Sequence, residues 1–237
     1  EIKNKVLKYN SENQKVFEWG VEGSAEGKFS KPAGIASDLR GYLYVVDAGN
    51  HRIQKFTGDG EFIHTWGEFG SELGQLSDPW GIAVDSEGFV YVADWGNNRV
   101  QKFTGDGEWL QNFGAPFPEE LRLDHPSDVA VDSEGDVYVA DWGNKKVQIF
   151  DGDGEILTSL YGDATELSRS ALNFMEVNQD YYKAFKRAKD KSGLGIFERP
   201  TSISITRDDR IVICDTARQR LQVYDKEKGY MDPEYNL

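Results

Sequence analysis

Four aspartates in this chain are each followed five residues later by a base: Asp47 by Arg52, Asp94 by Arg99, Asp141 by Lys146 and Asp215 by Arg220. Two chemistries answer to such pairs. Carboxylates gathered in a ring would hold a cation or a polar ligand. Alternatively, each accepts the N–H groups of a tight turn and pairs with the base that opens the next strand. Recurrence favours the local, structural role, because an asymmetric substrate has no use for four copies. Trp80, Trp95 and Trp142 differ in kind. Trp80 aligns with Ala33, Ser127 and Thr201, while Trp95 and Trp142 align with Ala48 and Thr216. Side chains that vary on an otherwise repeated frame are where specificity resides. An indole offers a broad apolar face and one N–H donor, suited to stacking on a sugar, a peptide or another ring; the competing role is packing over neighbouring turns.

Other reactive patterns are weak. His51, His64 and His125 occupy three different repeat positions, whereas zinc needs three or four convergent ligands. Asp151-Gly152-Asp153-Gly154-Glu155 has the flavour of a calcium loop, but its relatives Gly58-Asp59-Gly60 and Gly105-Asp106-Gly107 mark it as a hairpin turn. It also lacks the spaced ligands of an EF-hand. The chain has no nucleophile elbow, His-Glu-x-x-His or phosphate-binding glycine loop. No catalytic or metal residue and no cofactor is therefore assigned; an axial Ca²⁺ or Zn²⁺ stays open.

The elements that must position these groups recur with a period of 47 residues. Val45 to Phe56 returns as Val92 to Phe103 and as Val139 to Phe150, with a worn copy from Ile213 to Tyr224. Within one unit, Gly81-Ile82-Ala83-Val84, residues 89–93, 99–103 and 108–113 read as four short strands rich in β-branched and aromatic residues. Gly, Asp and Asn supply the turns between them. The second strand is continuously apolar and reads as buried on both faces; the third alternates and reads as partly wet. Four-stranded antiparallel units of this length are propeller blades. Up-and-down strand order then places the Asp-x-Gly-Asn turns and the blade-to-blade links on one rim, where a ligand site is expected. Trp19, Trp66, Phe113 and Leu160 share one outer-strand position and are expected between blades.

The run Pro-x-Gly-Ile-Ala-Val-Asp, then Tyr-Val-Ala-Asp-x-Gly-Asn-x-Arg-Val-Gln-Lys-Phe, resembles the NHL-repeat β-propellers over nearly the whole chain except 163–195. The resemblance implies an all-β propeller, usually six-bladed. Its members include sensors, scaffolds, RNA binders and a few enzymes, so it implies little about function. One domain over 1–237 is expected. Residues 1–20 would be the outer strands of a first blade, and 21–67, 68–114 and 115–162 complete units. A helical insertion would fill 163–195, and 196–237 the last unit. On that count an upstream piece of roughly one and a half blades is missing.

The insertion changes period from two to helical. Tyr181, Phe185 and Ala188 form an apolar stripe, beside Lys183, Lys186, Arg187, Lys189 and Lys191. Tyr181 and Tyr182 are expected to close over a ligand held by Trp95 and Trp142. The formal net charge of −14 argues against nucleic acid and anionic membrane as partners. No apolar run is long enough to span a membrane. The single cysteine, Cys214, forms no internal disulfide and is expected to be a buried small hydrophobe. Together these features point to a non-catalytic binding or scaffold module that presents a rigid rim to a protein, peptide or carbohydrate. The alternatives are a propeller enzyme, a metal-dependent lyase or lactone hydrolase with its site on the axis, and RNA binding. Compartment and oligomeric state are not legible.

Overall fold

A computed structural model of the chain describes residues 4–114, 121–162 and 196–226. The predicted strands form antiparallel sheets in sequence order. β1 (Val6–Tyr9) and β2 (Lys15–Trp19) make a two-stranded sheet. β3 (Pro32–Ser37), β4 (Leu43–Asp47), β5 (Arg52–Phe56) and β6 (Phe62–Trp66) make the first complete blade. β7 (Pro79–Val84), β8 (Val90–Asp94), β9 (Arg99–Phe103) and β10 (Trp109–Phe113) make the second. β11 (Pro126–Val131), β12 (Val137–Asp141), β13 (Lys146–Phe150) and β14 (Ile156–Leu160) make the third. β15 (Pro200–Ile205), β16 (Ile211–Asp215) and β17 (Arg220–Tyr224) form a three-stranded last sheet. The expected helical insertion, with Tyr181 and Tyr182, lies outside the described residues. Among the described residues, the turns after β4, β8 and β16 are single 3-10 turns.

The first strands β3, β7, β11 and β15 neighbour one another in that order and line one axial cavity of about 340 Å³. Their approach is close enough to dictate residue type. A Cβ on Gly34 would lie 2.6 Å from the carbonyl oxygen of Trp80 on the next blade, and one on Gly81 would lie 2.2 Å from Asp128 Oδ1. Only glycine lets the backbones meet there.

The core is the set of seams between blades. Tyr44, Val46, Ile53, Leu76, Ile82, Val90, Val92 and Phe103 form one cluster, with Trp66 and Trp109 packed against it. Phe113 belongs to the next cluster, Leu160 borders the third and Trp19 the one beside β1–β2. These four outer-strand side chains therefore do sit between blades.

One expectation needs correcting. In the three complete blades the third strands are not half wet: β13 is buried throughout, and Gln54, Gln101 and Gln148 are fully buried; only β17, in the three-stranded last sheet, is partly wet, with Leu221 and Val223 exposed. The alternation hides polar side chains whose partners come from the chain itself. Gln101 Nε2 donates to the Gln75 carbonyl (2.7 Å) and to Asp94 Oδ2 (3.1 Å). Lys55 lays its ammonium over Tyr42 and Tyr44 and pairs with Asp106 at 2.9 Å. A buried polar group is tolerated once its bonds are made. Cys214 is half-buried rather than fully enclosed.

Candidate functional site

The rim is built by one local device. Asp94 ends β8, and the chain makes a single 3-10 turn before Asn98 adopts the left-handed region at φ 55°. The Asp94 carboxylate organises everything around it. Oδ1 accepts the Ser77 N–H (2.7 Å); Oδ2 accepts Asn97 Nδ2 (2.9 Å), Arg99 Nε (2.8 Å) and Gln101 Nε2 (3.1 Å). Arg99 Nη2 then donates to the carbonyls of Glu72 and Gln75, each at 2.8 Å. Asp47 repeats the arrangement with Ser30, Asn50, Arg52 and Gln54. Arg220 Nε reaches Asp215 Oδ2 at 3.2 Å. All four aspartates are fully buried, and each fastens a blade-to-blade link to its own turn. Burial raises the Asp94 carboxyl, against the pull of its hydrogen bonds. The third blade differs: Lys146 replaces the arginine and pairs with Asp141 only through space. Burial pushes Asp141 up to about 6 and Lys146 down.

A second device ties each blade to the next. The residue closing the turn accepts, through its side chain, the N–H that precedes the next blade's first proline. Asn4 Oδ1 takes Lys31 N (2.8 Å), His51 Nδ1 takes Asp78 N (3.2 Å) and Asn98 Oδ1 takes His125 N (2.8 Å). Lys31, Asp78 and His125 all have φ near 50°, held there by the tie and by the proline that follows. At the fourth junction Lys145 has no acceptor to offer. Its ammonium pairs instead with Glu198 at 2.9 Å, and Arg199 N goes to Asp215 Oδ1.

On this rim the structure brings Trp80, Trp95 and Trp142 into one run. Trp80 lies nearly parallel to Trp95, with centroids 5.7 Å apart and planes 13° apart. Trp95 meets the His125 ring at 4.2 Å and 59°. His125 meets Trp142 at 6.4 Å and 72°, and the Arg199 guanidinium lies over Trp142 at 5.7 Å. Trp80 remains 43% exposed. His125 Nδ1 is held by Asp124 Oδ1 at 2.5 Å. Arg199 has no role in the sequence expectations and His125 enters them only as one of three histidines weighed for zinc, although the signal was available: Lys31, Asp78, His125 and Arg199 share one repeat position and are all different.

Asp128 has no role in those expectations either. Its counterparts are Gly34, Gly81 and Ser202, and it lines the axial cavity. There it accepts Ser202 Oγ (2.7 Å) and the N–H groups of Ile203 (3.0 Å) and Val129 (2.9 Å), while burial raises its carboxyl. Asp128 thus stitches β11 to β15. Among the described residues no three His, Cys, Asp or Glu side chains are grouped to hold a metal, and no helix is long and apolar enough to cross a membrane.

A search of curated proteins returned no match. Among solved structures, the chain is similar to a virginiamycin B lyase from Staphylococcus aureus, with 14% identity and a TM-score of 0.57. It is also similar to a streptogramin B lyase, with 16% identity and a TM-score of 0.57. A protein of unknown function from Bacteroides thetaiotaomicron VPI-5482 is similar at 20% identity and a TM-score of 0.59. The matches cover 96%, 96% and 88% of this chain but 64%, 63% and 50% of those chains. The chain thus spans less than two thirds of their length, and at these identities the likeness is one of fold. Residues 29–56, 76–103, 123–150 and 197–224, each running from the link to the end of a third strand, match the NHL repeat. The chain belongs to the NHL-repeat proteins.

Proposed function

We propose that this protein is a non-catalytic binding or scaffold module whose link-side rim receives a protein, peptide or carbohydrate. The observation that supports this most is the run of Trp80, Trp95, His125 and Trp142 ending at Arg199. It is an aromatic surface on a scaffold whose turn carboxylates are already saturated by structural bonds, and such rings carry recognition where one face is apolar and one edge is polar. Peptide and glycan arrays probed with the wild type and with Trp95→Ala/Trp142→Ala test it. Binding lost at least tenfold, with the melting temperature nearly unchanged, is the expected result. Array binding that survives the double substitution would remove the rim from consideration.

A second reading, a lyase or lactone hydrolase on the propeller axis, draws on one observation: Asp128 contributes a buried carboxyl to the axial cavity. Perturbed acids in cavities are candidates for chemistry. Metal-dependent stabilisation by Ca²⁺ or Zn²⁺ that disappears in Asp128→Asn would favour it.

A further inference from the structure

The rim run has a geometry that separates one ligand class from the others named above. Its two central contacts are tilted, since the Trp95–His125 and His125–Trp142 planes meet at 59° and 72°, so the run is ridged rather than flat. A flat sugar ring seeks one broad face; the ribbed surface of a polyproline II helix suits a ridged row of aromatic rings. Trp95 and Trp142 both lie close to His125, so their centroids are no more than about 10.6 Å apart, a span that admits the ~9 Å rise of one polyproline II turn. Residues three apart on such a helix share a face.

The hydrogen-bond inventory agrees. The indole N–H groups of Trp80, Trp95 and Trp142 have no acceptor among the described residues. Polyproline II has no internal hydrogen bonds, so its carbonyls are free to accept them. At the far end, Arg199 is exposed, and its guanidinium has the Trp142 ring beneath it but no carboxylate partner among the described residues. The neighbouring Glu198 is taken by Lys145 at 2.9 Å, with Arg218 at 3.6 Å. A guanidinium with no carboxylate partner among the described residues can grip an acid through paired N–H donors.

We propose that the Trp80–Trp95–His125–Trp142–Arg199 run binds a proline-rich peptide segment in polyproline II form, with prolines three residues apart on Trp95 and Trp142 and an acidic residue beyond them at Arg199. The proposal rests on the reading of this rim as the binding surface and names its occupant. The preformed helix loses little entropy on docking, which suits a shallow rim.

The test is a fluorescence-anisotropy titration of the full chain with a labelled Pro-x-x-Pro-x-Glu peptide and the same peptide carrying Lys for Glu. The acidic peptide should bind at least fivefold more tightly than the lysine version, and Arg199→Ala should erase that preference. Trp142→Ala should weaken the acidic peptide at least tenfold. Trp142→Phe, which keeps a ring and loses the N–H, should fall between. Circular dichroism and melting temperature verify that each variant is folded. Equal affinity for wild type and Trp142→Ala would overturn the proposal. So would failure of both peptides while an oligosaccharide binds in a Trp142-dependent way, an outcome that leaves the rim itself standing as the binding surface. Failure of peptides and saccharides alike, with Trp95→Ala/Trp142→Ala indistinguishable from wild type, would remove both.

Discussion

The second and third blades are built on the same 47-residue plan, yet their buried turn networks differ in one side chain. In the second, Arg99 joins Asp94 to two link carbonyls, and Gln101 Oε1 accepts the Gly74 N–H at 3.0 Å. In the third, Lys146 makes no hydrogen bond to Asp141 and is pressed by burial toward its neutral form. Gln148 Oε1 is buried without a partner among the described residues. A planar fork satisfies several acceptors at once from a dry site; an ammonium on a flexible stem does not. The third blade thus holds a carboxyl close to neutrality, and it does so directly beneath the Asp124–His125–Trp142 portion of the rim, since Asp124 N–H donates to Asp141 Oδ1 at 2.8 Å.

The comparison is broken most forcefully by truncation. Arg99→Ala leaves Asp94 buried and uncompensated and should destabilise the chain by about 3–5 kcal/mol in urea denaturation. Lys146→Ala, which removes no hydrogen bond, should lose less than about 1 kcal/mol. Equal losses would mean that the two networks are equivalent after all. A pH profile sharpens the contrast. The Asp141 carboxyl stands near 6 when folded and about 3.9 when unfolded. The folded state therefore binds the proton more tightly, and its contribution to stability is complete below pH 4 and is lost as pH rises through 6. The expected loss between pH 4 and pH 7 is about 2.3 kcal/mol. It should be missing from Asp141→Asn, and parallel curves for the two proteins would contradict the assignment. Restoring the fork is a gentler change: Lys146→Arg should add about 1–2 kcal/mol and flatten the same profile. The smallest effect is at the tie between blades. Asn98→Ala frees the His125 N–H and should lose about 1 kcal/mol, readable as faster amide exchange at His125.

The repeat announced the fold because each unit carries its own strands, turns and seam residues, so four copies corroborated one another. Strand edges followed from Asp, Gly and Asn at the turns. The exposure of the third strand was misjudged because Gln101 and Lys55 look like surface residues, and only the folded links reveal their partners. The rim tryptophans were legible as departures from the repeat. His125, Arg199 and Asp128 depart from it as well, but a variable polar residue on a turn or an edge has many reasons to vary. Their convergence depends on contacts across blades, such as Trp95 with His125 and Asp128 with Ser202, that no period predicts.

The bonds spanning 27 residues have a consequence for how the chain is made. Gly27 N–H is held by Gln54, Gly74 N–H by Gln101, and the carbonyls of Gly23 and Gly70 by Asn50 and Asn97. These straps are fastened by buckles that lie downstream of them, although Asn4, His51 and Asn98 hold the far end of each link from upstream. During synthesis at roughly 5–20 residues per second, each strap goes without these buckles for on the order of 1–5 s until its own third strand emerges. The growing protein thus carries a strap still lacking its downstream bonds at the blade nearest the ribosome, and a pause placed just before residue 54, 101 or 148 would lengthen that state for one chosen blade.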